Sequence, residues 1–126
     1  MILDGGEILF SSQEEGMRPL MRAIKNLGIP RLRGCIVADR VVGKAAALLT
    51  CFFGAKEVHC GVVSARAVKV FEKQGVAYHA ERTIPEIMDR SGKNVCPFER
   101  SVLDIEDPQA GFKRLYARLL EMGLAV

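Results

Sequence analysis

Apolar residues recur along this chain at strand spacing and at helix spacing, and one stretch follows neither. Val37–Phe53 reads VADRVVGKAAALLTCFF. A short apolar strand leads into a Gly-Lys turn, and the turn opens a helix-length run with no polar side. A helix that is apolar all round has no face for water and is a buried helix, so this run is expected at the centre of the fold. It starts on Gly43 and Lys44, where the unpaired N–H groups of a helix start can receive an anion.

Around that centre the pattern alternates. Met1–Leu3 and Glu7–Ser11 flank Asp4-Gly5-Gly6, and Asp-Gly between alternating apolar residues predicts a hairpin. The first strand is so short that an upstream part of it is expected to be missing from this start. Arg18–Leu27 reads as a helix, with Pro19 in its first turn, Leu20, Ile24 and Leu27 on one stripe, and Gly28 as its stop. Pro30 and the basic Arg31-Leu32-Arg33 are expected to form a loop. Gly34–Ala38 follows as a buried strand, and the central helix runs from Gly43 to Phe53.

Glu57–Val63 is rich in β-branched residues and predicts a strand. Ser64 suits the N-cap of a helix over Ala65–Gln74, with Ala67, Val68 and Phe71 on its inner face. Val76–Ala80 reads as a further strand. Thr83-Ile84-Pro85-Glu86 has capping-box spacing and predicts a short helix to Arg90. Ser101–Ile105 is expected as a last short strand. Asp107-Pro108 caps an amphipathic C-terminal helix over about 108–122, striped by Phe112, Leu115, Tyr116, Leu119 and Leu120. A hairpin followed by alternating strands and helices predicts a single domain over 1–126, a three-layer α/β/α arrangement with a mixed sheet.

Composition changes this picture little. With 126 residues, 49% apolar content and a net charge of +3, the chain can bury a real core and carries no extreme charge. Arg18, Arg22, Lys25, Arg31 and Arg33 cluster without acids, but aromatics are sparse and tryptophan is absent. Nucleic-acid binders show denser basic stripes with stacking aromatics, so no nucleic-acid partner is expected. No apolar run reaches the roughly 20 residues of a membrane helix, and no signal peptide precedes the first strand. The expected location is cytoplasmic, with no membrane partner. Cys35, Cys51, Cys60 and Cys96 lack paired spacing and sit mostly in apolar runs, as free buried thiols do in a reducing compartment.

The runs IVADRVVGKAAALL and KEVHCGVVSARAVKVFEKQGV, with the later CPFE, resemble the bacterial and archaeal family called domain of unknown function 1893. The resemblance covers nearly the whole chain. It implies a cytidine deaminase-like fold and carries no settled activity. Zinc deaminases need a His or Cys ligand beside a catalytic Glu at one helix start and P-C-x-x-C at the next. The first of these helices here begins VVGKAAALL, with no His, Cys or Glu before Cys51. The second carries Ser64 and Ala67 where the two cysteines would stand. A zinc deaminase mechanism is therefore not expected, nor any other cofactor. Elsewhere, His59 and Cys60 are consecutive on a strand and point to opposite faces; His79 and Cys96 remain as partners only if the fold joins them.

Gly43-Lys44 also invites comparison with a P-loop, but Ala38 and Ala45 stand where the pattern requires Gly and Ser or Thr. What survives is a pair of strand-to-helix junctions, the usual ligand crevice of an open α/β sheet. Asp39, Arg40, Gly43, Lys44 and Ser64 are candidate residues there for a small anionic, nucleotide-like ligand. Asp39, read as lying between strand and helix, could equally cap the helix. Cys96 and Glu99, three apart, are candidates for a nucleophile beside an acid/base group. Three functions compete: a ligand-binding domain without the zinc site, an enzyme with non-zinc chemistry using Asp39, Lys44, Cys96 or Glu99, and a homo-oligomeric interaction module using the C-terminal helix.

Overall fold

The structure, a computed structural model, describes residues 1–14 and 16–124. The expected hairpin joins β1 (Ile2–Asp4) to β2 (Glu7–Phe10). Gly5 and Gly6 both have positive φ, 56° and 84°, as a tight two-residue hairpin turn requires. Helix α1 (Met17–Leu27) follows, and a one-turn helix α2 (Ile29–Leu32) replaces the expected loop, with Pro30 in its first turn. Then come β3 (Ile36–Val42), α3 (Lys44–Phe52), β4 (Glu57–Ser64), α4 (Ala65–Gln74) and β5 (Ala77–Ile84). Helices α5 (Pro97–Ser101) and α6 (Pro108–Glu121) complete the chain. The sheet order is β2-β1-β3-β4-β5: β1 is antiparallel to both neighbours, and β3, β4 and β5 are parallel.

Two strands run further than their apolar residues indicate, for one reason. Ladder hydrogen bonds belong to the backbone, so a paired partner extends a strand through polar side chains. Asp39 pairs with Cys60 inside β3, and the ladder continues to Val42 opposite Val63; Asp39 is not a linker residue. In β5, Thr83 and Ile84 pair with Val63 and Ser64, so the expected helix from Thr83 to Arg90 does not form. That segment instead closes on itself through a Met88–Val95 bridge. The strand expected over Ser101–Ile105 is also absent. The chain there turns out of α5 and buries Val102 and Ile105.

Helix α3 is the centre. Every residue from Lys44 to Thr50 is buried, and α1, α4 and α6 all pack on α3. Helices that touch one another lie on one side of the sheet, so the layers run sheet, then α1, α3 and α4, then α6. A helix apolar all round needs cover on the side away from the sheet, and α6 supplies it. Leu115 and Leu119 are buried, Phe112 stacks on Phe52 at 4.6 Å, and a Cβ on Gly111 would lie 2.9 Å from Leu48 Cδ1. Tyr116 and Leu120 stay exposed, so the buried stripe of α6 is narrower than its apolar residues suggest.

The second helical layer expected across the sheet is missing among the described residues. Ile36, Ala38, Glu57, His59, Ala77 and His79 share in-register positions on that face, and none is buried. The mixed α/β sheet flanked by helices stands, with one sheet face left open. No described helix is long and apolar enough to cross a membrane. All four cysteines are free; burial pushes the Cys35 thiol up to about 11 and the Cys51 thiol up to about 12, which keeps both unreactive near neutral pH.

Candidate functional site

Gly43 is the N-cap of α3 and has no side chain to offer the helix. The amides of Lys44 and Ala45 are instead satisfied from 55 and 54 residues away, by the two carboxylate oxygens of Glu99: Lys44 N donates to Oε1 at 2.7 Å and Ala45 N to Oε2 at 2.6 Å. Glu99 is held in α5, whose first turn is set by Pro97, and is 5% exposed. A Cβ on Gly43 would collide with Glu99 Oε1 and stand 2.7 Å from Ile87 Cγ1. Only glycine leaves room for the carboxylate. The anion that favours a helix start is thus part of the protein itself.

Burial pushes the Glu99 carboxyl above its ordinary range, while the two amide bonds and the Lys44 and Arg66 charges pull the other way. Lys44 is itself buried, and burial lowers its pKa. Its Nζ donates to the Leu103 carbonyl at 3.0 Å. Lys44 therefore reaches toward the turn after α5. Ser64 is fully buried and caps α4, with Oγ accepting from Ala67 N at 3.1 Å.

Beyond the C-terminal end of β3 lies an open cleft of about 780 Å³. Arg40, Gly43, Cys96 and Glu99 line it, together with Arg18, Ile87, Asp89 and Arg90. The structure therefore brings four of the seven candidate residues to one place. Lys44 and Ser64 are not in its lining, and Asp39 lines a separate shallow depression with His59 and Cys60. Of the four residues considered for non-zinc chemistry, Cys96 and Glu99 share the cleft, but both Glu99 oxygens accept main-chain bonds. Cys96 is the half-buried N-cap residue of α5, its N–H donating to Ile87 O at 3.0 Å.

The outer wall of the cleft is the 85–96 segment, which is pinned to α4 by Glu86. Arg66 donates to Glu86 Oε1 from Nε at 3.1 Å and from Nη2 at 2.7 Å. Sequence reasoning missed Ile87 and Arg90 because nothing local marks the return of this segment to the cleft, and Arg18 because nothing local says that the start of α1 borders it. The CPFE motif did mark Glu99, and the structure adds that its two oxygens accept the first amides of α3. Side chains able to hold a metal converge elsewhere, at Glu57, His59 and His79 on the open sheet face. His79 stacks on His59, whereas Cys96 lines the cleft.

A family model described as domain of unknown function (DUF1893) matches residues 1–119. The crystal structure of a DUF1893 family protein (TM1506) from Thermotoga maritima is similar, with a TM-score of 0.83 and 30% sequence identity. That match covers 93% of this chain and 78% of the other. No curated protein matches the chain.

Proposed function

We propose, for a chain that belongs to the domain of unknown function 1893 family, that it binds a small anionic, nucleotide-sized ligand in the cleft beyond β3. The observation that carries this is the cleft itself. It holds about 780 Å³, within the roughly 300–1,000 Å³ of small-molecule sites, and it opens at a strand-to-helix junction where α/β sheets take ligands.

Arginine, rather than a helix start, supplies the charge. The α3 amides are occupied by Glu99, and the α4 start is capped by Ser64. Arg18, Arg40 and Arg90 all face the cleft, and guanidinium groups suit phosphate or carboxylate. Of the described acids that line the cleft, Glu14 pairs with Arg22 at 3.4 Å, Asp89 accepts from Ser91, and Glu99 accepts from the α3 amides. The bonding at Asp89 holds its carboxyl below its usual range, with Ser91's hydroxyl the largest cause.

A deaminase-like scaffold without the zinc chemistry is part of the same reading. The lack of zinc chemistry is supported by Gly43, Lys44 and Ala45 at one helix start and by Ser64 and Ala67 at the other; zinc prefers thiolate and imidazole ligands. Thermal-shift screening with nucleotides, sugar phosphates and small carboxylates tests the proposal. At least one class should raise the melting temperature by several degrees, and Arg40→Ala and Arg90→Ala should each reduce that rise. Both side chains are exposed, so neither change threatens the fold. No stabilisation by any class, or stabilisation that both variants retain, overturns the proposal.

A further inference from the structure

We propose that Glu57, His59 and His79 form a binding site for a borderline divalent cation of the zinc, nickel and cobalt class on the open face of the sheet. Glu57 and His59 are two apart on β4 and so point to the same face. His79 is the direct parallel partner of His59 on β5. Both imidazoles are therefore carried by adjacent, hydrogen-bonded strands, and their rings stack with centroids 4.6 Å apart and planes 17° apart. Their Nε2 atoms converge on one carboxylate: His59 Nε2 lies 3.5 Å from Glu57 Oε1, and His79 Nε2 lies 3.7 Å from Oε2.

Those separations are close to a coordination sphere. Zinc–ligand bonds of about 2.0–2.1 Å in tetrahedral geometry put neighbouring ligand atoms roughly 3.3 Å apart. One ligand atom from each residue already lies within 4.8 Å of the other two, so small χ rotations close the shell without moving the backbone. Two imidazoles and a carboxylate are the donor set that borderline divalent ions choose over calcium or magnesium. The face is open: the Glu57, His59 and His79 side chains are 31%, 48% and 59% exposed. The ion would keep at least one position for water or a further ligand, as open zinc sites do. The cleft beyond β3 shares none of these residues, so the two proposals stand or fall separately.

Zinc(II), nickel(II) or cobalt(II) chloride, added to chelator-treated full-length protein and followed by calorimetry and thermal shift, tests the site. One equivalent should bind saturably and raise the melting temperature. His59→Ala and His79→Ala should each weaken binding at least tenfold, and Glu57→Gln should weaken it less. The cobalt form should show d–d bands without thiolate-to-cobalt charge transfer, which separates this site from the four cysteines. The exposed histidines can be removed without core loss, and unchanged far-UV dichroism checks that. Failure of all three ions to bind saturably, binding retained by the double histidine variant, or a thiolate charge-transfer band overturns the proposal.

Discussion

Helices α3 and α4 leave adjacent parallel strands and face the same local problem, amides at the first turn without partners inside the helix. At α4 the answer is local. Ser64 ends β4, and its hydroxyl accepts from Ala67 N three residues on. At α3 the corresponding residue is Gly43, and the partner is a carboxylate 55 residues later in the chain. The contrast shows what a glycine cap makes possible. Removing the side chain from the junction admits a charged group from another element, and that group ties α5 to the most buried helix of the fold. The start of α4 is capped from its own turn, whereas the start of α3 is capped by the tertiary structure around it.

The largest test of that contrast is Gly43→Ala. A methyl group would displace the Glu99 carboxylate and press on Ile87, at an expected cost of about 3–5 kcal/mol, the range for stranding a buried charge. Denaturant midpoints at unchanged slope read this directly; a variant within about 1 kcal/mol of wild type would mean that Glu99 does not hold the helix. Glu99→Gln keeps the shape but turns an N–H₂ toward an amide donor, and about 2 kcal/mol should be lost. Combining Gly43→Ala with Glu99→Ala should show coupling of at least ~1 kcal/mol, since both act on one contact. Additive losses would separate them.

Ser64→Ala should cost about 1 kcal/mol, the usual worth of a local cap, in the same denaturation measurement. A loss as large as that of Glu99→Gln would erase the distinction between the two helix starts. The smallest expected effect is on pH dependence. Burial raises the Glu99 carboxyl above its ordinary 4.5 in the folded protein. The folded state then holds this proton more tightly than the unfolded state, so the contribution is fully present below that value and is lost as pH rises through the raised one. Lys44, lowered by burial from 10.5, works at the alkaline end: its contribution is present above that value and is lost as pH falls through the lowered one. Glu99→Gln should flatten the acid-side slope of stability against pH and leave the alkaline side; an unchanged acid-side slope would assign it to another group.

Much of the fold was legible because its signals are short-range. The Asp4-Gly5-Gly6 turn, the Ser64 and Asp107 caps and the apolar run of α3 each declare themselves within a few residues, and all are present as read. The misread elements share a different cause. Thr83-Ile84-Pro85-Glu86 has a helix-start pattern, yet pairing with Val63 and Ser64 carries β5 through Ile84. Ser101–Ile105 looks like a strand, but Val102 and Ile105 serve the core from a turn. In each case a partner distant in sequence outweighed a weak local preference.

The candidate site divides in the same way. Arg40, Gly43, Cys96 and Glu99 were singled out by residue type and do share one cleft. Their roles were not legible, since nothing in CPFE says that its glutamate will meet the amides after VVG. The metal-ligand cluster shows this even more sharply. Glu57 and His59 announce a common face by their spacing, but His79 joins them only because β5 pairs with β4 in that register.

By itself, the sequence determined a buried helix entered through a glycine, since period and composition alone decide whether a helix has a face for water. Tertiary structure alone decided that Glu99 fills that entrance, that α6 covers the outer side of α3, and that the opposite sheet face stays open. Those outcomes depend on register and on the packing of elements far apart in the chain, where the free energy belongs to the assembled core and no short window of residues contains it.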